Sequence, residues 1–403
     1  MAWGNNELLR RGPARAALDR AHVLLRRGEL SASERADLET EAHVIEAAAR
    51  CYQDQVFGIE GLIAECLARP DSLRPWVVSA AADLAVYAAV YRFAFDDARR
   101  TQDWAVPYHE RTGHYGLVWG YCMTGLADIE ELDIAGAEDK VRTALRIAVE
   151  SGGAHSFTAR LASALLGELR YEQGALEDAQ GLLEETYALG SESVDFMVGP
   201  YVIGARIFAL RGDLDAAAER LDEGNKIAAD LSLPRLRARV DNERARLRLP
   251  NQHWPAPVVD YDDRREPADG VDAITIHFDE STAIMGLLRD GSEESIDLAL
   301  VWATDWVDAL RGTGRYRALL QANRLLAVCL DAAGRAEEAE FVLAVVAAQC
   351  QPRGMIRFVL DGGPHAPELI ERLCRRRLDG PWDESWPELP RAFATELRAA
   401  SGR

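Results

Sequence analysis

The chain lacks almost every signature of a reactive centre. There is no Gly-x4-Gly-Lys-Ser/Thr loop to cradle nucleotide phosphates on backbone N–H groups. No His-Glu-x2-His pair occurs, and the eight histidines are too scattered to gather a metal ion. The Gly-x-Ser-x-Gly turn that exposes a nucleophilic serine is also missing. None of the six cysteines forms a Cys-x2-Cys pair. Most fall on apolar helical stretches, where cysteine behaves as a small hydrophobe, and this fits a reduced, cytoplasmic setting. No basic patch leads into an apolar run and cleavage site, so no signal peptide is expected. The most apolar stretch, Trp76 to Tyr91, is sixteen residues long and carries Asp83, too short to span a bilayer. The adjacent carboxylates Glu130-Glu131 and Glu184-Glu185 diverge on a helix and read as solvated faces. An enzyme is not expected, and no cofactor is implied for this chain.

Positive charge is also scarce. Against 66 acidic residues stand 46 basic ones, a formal net charge of −20. Such a surface repels phosphate backbones and anionic lipids, so neither nucleic acid nor membrane is an expected partner. The local cluster Arg372, Arg375, Arg376 and Arg377 reads as one solvated helix face.

What the chain has is a repeat. Gly125-x11-Ala137-x6-Ala144, Gly167-x11-Ala179-x6-Thr186 and Ala205-x11-Ala217-x6-Gly224 share one spacing, and the unit recurs about every forty residues. Small residues stand where two helices must cross closely. Turns such as Glu172-Gln173-Gly174 and Arg211-Gly212-Asp213 separate the helices. This is tetratricopeptide grammar with a period longer than the usual ~34 residues. Single units cannot bury an apolar face alone, so they must stack into a superhelix with a concave wall. The fold class is therefore all-α, an α-solenoid superhelix of tetratricopeptide-like helical hairpins.

The helical pattern divides into a repeat block over 1–249, a Pro- and Asp-rich loop or linker over 250–272, and a second block over 273–403, together one continuous solenoid. Ser31 or Ser33 is placed to cap the second helix, and Pro234 to open the helix that closes the first block. One long helix is expected over 194–210. The run Ile356-Arg357-Phe358-Val359-Leu360 could be extended.

Three stretches resemble the helical-repeat sensor region of the large LuxR-type, maltose-activator-like transcriptional regulators. They are Arg211 to Ala217 with the hairpin exit Ala229 to Leu236; Asp241-Asn242-Glu243-Arg244-Ala245-Arg246-Leu247; and Gly354 to Pro364, which carries Arg357 and Asp361. The likeness covers most of the chain. It departs at Phe358, one place before the family's usual aromatic, and at Gly362, where glutamate is common. The resemblance implies an effector-sensing domain lying between a nucleotide-binding switch and a helix-turn-helix, with ATP only in the separate module. It also implies that effector binding relieves autoinhibition or promotes self-association. The chain reads as either an excised sensor fragment or a stand-alone relative.

Tetratricopeptide register then selects the lining of the concave wall. Successive first helices contribute Ala80, Asp83, Leu84 and Tyr87; Trp119, Cys122, Met123 and Leu126; Leu161, Ala164, Leu165 and Glu168; and Gly199, Val202, Ile203 and Arg206. Beyond the loop come His277, Glu280, Ser281 and Ile284. This wall is mostly apolar, which suits a small organic effector better than a peptide tail. The expected effector-binding residues are Tyr87, Trp119, Met123, Leu161, Glu168, Ile203 and Arg206, with Glu168 and Arg206 as polar anchors. Tyr115, Phe157, Phe196 and Tyr201 are expected along one rim. The competing expectation is a scaffold that binds a protein or peptide through the same wall.

Overall fold

The computed structural model describes residues 11–27, 30–187, 193–249 and 266–401. Among these no strand occurs, and helical hairpins follow one another throughout. The first block comprises α1 (Arg11–Arg27), α2 (Ala32–Cys51), α3 (Ile59–Ala68), α4 (Pro75–Tyr91), α5 (Phe95–Thr112), α6 (His114–Glu130), α7 (Ile134–Gly152), α8 (Phe157–Glu172) and α9 (Leu176–Thr186). It continues through α10 (Val194–Val198), a π turn at Gly199–Ile203, α11 (Gly204–Leu210), α12 (Leu214–Asp230) and α13 (Pro234–Arg246). The second block comprises α14 (Gly270–Asp290), α15 (Glu293–Leu310), α16 (Tyr316–Ala332), α17 (Ala336–Cys350), α18 (Ile356–Leu360), α19 (Ala366–Asp379) and α20 (Arg391–Ser401).

Caps and turns account for the punctuation. Ser31 and Glu34 form a reciprocal capping box at the start of α2. Asp133, Ser156, Asp213 and Ser292 each accept a backbone N–H at the head of a later helix. A left-handed residue recurs two places before a helix starts: Gly174, Gly212 and Gly334 adopt it, but so do Phe93 at φ 59° and Leu132 at φ 64°. The non-glycine cases carry a cost of about 1–2 kcal/mol, and at Phe93 the conformation delivers an aromatic ring to the interior.

The small residues of the repeat sit where helices cross. Ala137, Ala144, Ala179, Ala205 and Ala217 are fully buried. A methyl group on Gly167 would come within 2.7 Å of Leu183 on α9, and one on Gly224 within 3.2 Å of Tyr201. All six cysteines are buried as free thiols.

Three expectations change here. The helix expected over 194–210 is broken by the π turn, which contains Pro200, a residue without an N–H to donate. The run 356–360 is helical. Of the expected linker, 250–265 lies outside the described residues and α14 already begins at Gly270.

The superhelix closes on itself. α16 packs on α6, and α18 packs on α8. One apolar cluster consequently runs through both blocks, from Val44 to Leu397.

Candidate functional site

Closure is made by buried charges at three places. At the first, Arg235 at the head of α13 donates from Nε to Asp54 Oδ2 at 2.8 Å and from Nη1 to Asp195 Oδ1 at 3.0 Å. It also donates to the Tyr91 hydroxyl, which in turn donates to Asp195. Asp54 lies 181 residues from Arg235 and is held by Tyr87 as well, whose hydroxyl donates at 3.2 Å. Burial pushes the Asp54 carboxyl up despite Arg235, whereas at Asp195 the same guanidinium outweighs burial and the net direction is down.

The second place joins two of the three stretches that resemble the regulator family, 241–247 and 354–364. Asp361 accepts from the Tyr171 hydroxyl at 2.7 Å and from Arg357 at 2.5 Å. Burial opposes its ionisation, but Arg246, Arg357 and Arg206 together bring the carboxyl down to about 2. Glu243, fully enclosed, accepts from Arg206 Nε at 2.7 Å and Arg246 Nε at 2.9 Å. At the third, Arg317 of α16 grips both oxygens of Glu172 on α8, one at 2.7 Å.

Between these clasps lie two adjoining cavities of about 100 and 80 Å3. Both are lined by Glu168, Glu172, Arg239, Phe278, Trp306 and Arg317. Five buried polar atoms of the residues lining the first cavity have no hydrogen-bond partner among the described residues: Glu130 Oε2 and Arg315 Nε, which lie 3.9 Å apart, and Glu168 Oε1, Arg239 Nε and Trp306 Nε1, whose residues line both cavities. Buried polar groups nearly always find a partner, so orphans grouped around one hollow mark a place for water or ligand. Burial pushes the Glu168 carboxyl up to about 7, with Arg239 and Arg317 offsetting only part of that. Arg239 makes no ion pair within 4 Å among the described residues and lies over the Phe278 ring at 4.5 Å. Burial lowers its pKa, and lowers that of Arg324, beside Phe358, to about 10. Phe93, from the strained turn, lines the first cavity beneath Arg315 at 4.0 Å.

A third chamber, of about 180 Å3, lies near the N-terminus between α2, α4 and α6. Trp76, Tyr52, Tyr115 and Trp119 line it, with Ser79 and Asp83 from α4.

The seven expected effector residues are therefore divided. Glu168 lines both central cavities, and Ile203 and Arg206 line the second of them. Trp119 lines the N-terminal chamber, so Trp119 and Arg206 do not share a site. Tyr87 is fully buried between Tyr91 and Trp119 and serves the Arg235 cluster. Met123 and Leu161 are fully buried helix packing and line none of the three hollows. Repeat register finds inward positions, but closure fills that inner space with side chains from α13 to α18. The wall is accordingly charged at its centre. Glu130, expected on a solvated face, is half-buried and lines the first cavity, whereas Glu184 and Glu185 are exposed as expected, Glu184 accepting from Arg220 at 3.0 Å. The arginine cluster of α19 is likewise engaged: Arg372 pairs with Asp331, Arg376 with Glu340, and Arg377 lies over Trp382. Of the expected rim, Tyr115 and Phe157 stack at 6.4 Å, whereas Phe196 is core and Tyr201 packs on Tyr187.

Arg239, Phe278, Trp306 and Arg317 escape sequence reasoning because they belong to helices beyond or at the end of the recognised repeats. The signal present is the grouping of arginines at 235, 239 and 246 on one helix, four and seven residues apart.

Among the described residues no helix is long and apolar enough to cross a membrane. The chain also contains no Gly-x-Gly-x2-Gly loop, His-Arg-Asp or Asp-Phe-Gly triplet. It is similar to proteins named serine/threonine-protein kinase PknK from two Mycobacterium tuberculosis strains, CDC 1551 and H37Rv, and from Mycobacterium bovis strain AF2122/97. The identity is 41% over 368 residues, covering 90% of this chain and 33% of each relative. The chain thus spans about a third of the length of these relatives. Residues 76–376 match the family described as MalT-like TPR region, which includes all three closing clusters apart from Asp54. On that match, with its helical hairpins and closed superhelix, the chain belongs to the MalT-like TPR region family.

Proposed function

We propose that this chain is the effector-sensing region of a larger regulator and that a small organic molecule occupies the central cavities. The observation that carries this reading is the set of orphaned polar atoms on Glu168, Arg239 and Trp306, all facing space that exists only when the superhelix is closed. An effector with an acceptor group for Arg239 and a flat face for Phe278 or Trp306 complements that lining. It would touch α8 and α13 on one side and α14 to α16 on the other. Such a ligand favours the closed state only by its differential affinity for it. The output belongs to other parts of the regulator: DNA binding in the LuxR-type proteins this chain resembles, or the kinase activity in the name of the mycobacterial relatives. Enclosed hollows weigh for a small ligand over a peptide, which needs an open groove.

The test is a thermal-shift screen of metabolites on the purified chain and on Arg239→Met. A compound that raises the melting temperature of the parent but not of Arg239→Met supports the reading. If no compound stabilises the parent, or the variant responds equally, the central cavities are not the sensing site.

A further inference from the structure

The N-terminal chamber is separate from the central cavities and has a different chemistry. Trp76 is the second residue of α4, and Ser79 and Asp83 follow on nearly the same helix face at three and seven residues. Ser79 Oγ lies 2.7 Å from Nδ1 of His109 on α5. Burial lowers the imidazole to about 4, so it is neutral. With Ser79 as donor to Nδ1, the proton sits on Nε2, which is 3.7 Å from Asp83 Oδ1 and makes no hydrogen bond among the described residues. Gly116 on α6 is what admits this group, since a methyl group there would lie 2.3 Å from His109 Nδ1.

Asp83 is the unusual member. The residue is 7% exposed, and its side chain makes no hydrogen bond among the described residues. Oδ1 is buried, and the residue lines the chamber. Among the described residues no lysine or arginine lies within 4 Å of it. A buried carboxylate without a cation is costly, and burial accordingly pushes this group well above the usual carboxylate range. Around it stand four aromatic side chains. The Tyr52 and Tyr115 hydroxyls are 2.9 Å apart, which fixes two of the rings, and Trp119 is held against Tyr87 at 5.9 Å.

Ring faces carry negative potential and attract cations, above all ammonium groups that shed water readily. A neutral apolar guest would fill the volume but leave the Asp83 carboxyl without a polar partner, and an anion would further oppose its ionisation, whereas a cation favours the carboxylate. A water cluster would sit poorly against four ring systems. We infer that the chamber bounded by Trp76, Tyr115, Trp119 and Asp83 is a second ligand site, specific for a small organic ammonium compound. The charged nitrogen meets Asp83 while its carbon groups contact the rings. The site is built within the α2 to α6 stack and does not require the central cavities to be occupied.

The probes are benzylammonium, cyclohexylammonium and choline, each paired with its uncharged analogue: benzyl alcohol, cyclohexanol and 3,3-dimethyl-1-butanol. Calorimetric titration into the full chain should show at least one ammonium compound binding about tenfold or more tightly than its analogue, the scale of a desolvated cation–π contact. Asp83→Asn keeps the shape but cannot ionise to meet a cation, so it should fold at least as well and reduce that compound to the level of its analogue. Trp76→Leu, on the half-buried rim, should weaken binding severalfold with helix content unchanged, and it reports independently should Asp83→Asn misfold. Equal affinity for charged and uncharged partners overturns the inference, as does undiminished binding by Asp83→Asn or no binding by any of the three.

Discussion

The N-terminal chamber and the central cavities occupy one superhelix but are made in different ways. The first arises inside a single run of hairpins, where α2, α4 and α6 are neighbours or next neighbours, and four aromatic side chains line it beside a single carboxyl. The second arises where α13 to α18 return to α6 and α8, and arginines and carboxylates stand among its apolar lining. Local stacking excludes water efficiently, and apolar rings serve there. Long-range closure brings together faces that each repeat had left polar, so their charges must pair with one another, and the few left over point into the hollow. The Arg235 cluster stands between the two, since Tyr87 touches Trp119 on one side and Asp54 on the other.

The largest effect should come from removing that partition. Arg235→Met leaves Asp54 and Asp195 buried without their cation, a loss of about 3–5 kcal/mol. Chemical denaturation should show it, and hydrogen exchange should quicken in α4 and in α13 together. If only one of these two helices loosened, Arg235 would not be the shared wall.

Arg317→Met separates the chambers more sharply. It frees Glu172 and should cost about 3 kcal/mol, as partner removal from a largely enclosed pair does. Exchange should rise in α16 and α8 while α4 to α6 stay protected. Equal exposure of the N-terminal stack would show that the two chambers form one cooperative unit.

The smallest effect concerns the Glu168 proton. The folded-state pKa, about 7, lies above the ordinary glutamate value of 4.5. The folded chain therefore holds a proton that the unfolded chain releases first, and Glu168 makes stability fall as pH rises from about 4.5 to about 7. Arg239 and Arg317 temper the effect, while Glu172 and Asp195 reinforce it. Glu168→Gln should flatten this part of the stability profile and raise stability slightly above pH 7. An unchanged slope would mean that Glu168 is paired or hydrated in solution.

Legibility followed locality. Gly174 and Gly212 announce their turns because their backbone needs a positive φ; Phe93 and Leu132 adopt the same conformation at equivalent places without announcing it. The helix over 316–332 is evident from its periodicity, whereas the π turn at Gly199–Ile203 is not. Glu168 and Arg206 are identifiable as inward polar positions from the register of α8 and α11. The partners of Arg206 are not, because Glu243 and Asp361 come from other turns of the superhelix. The resemblance of 354–364 to the sensor regions marks the segment, and the structure supplies a physical reason for it, since Asp361 is the acceptor that ties α18 to Tyr171.

The sequence by itself determined that the chain is helical, that the helices pair, and that Gly167, Ala179 and their equivalents lie at crossings. These follow from 3.6-residue periodicity and from the small space between helices only a few residues apart along the chain. Only the tertiary structure decided that the solenoid closes and where its hollows fall. A contact such as that of Arg235 with Asp54, 181 residues away, depends on a superhelical pitch summed over many repeats, and a small rotation at each hairpin would move those charges apart.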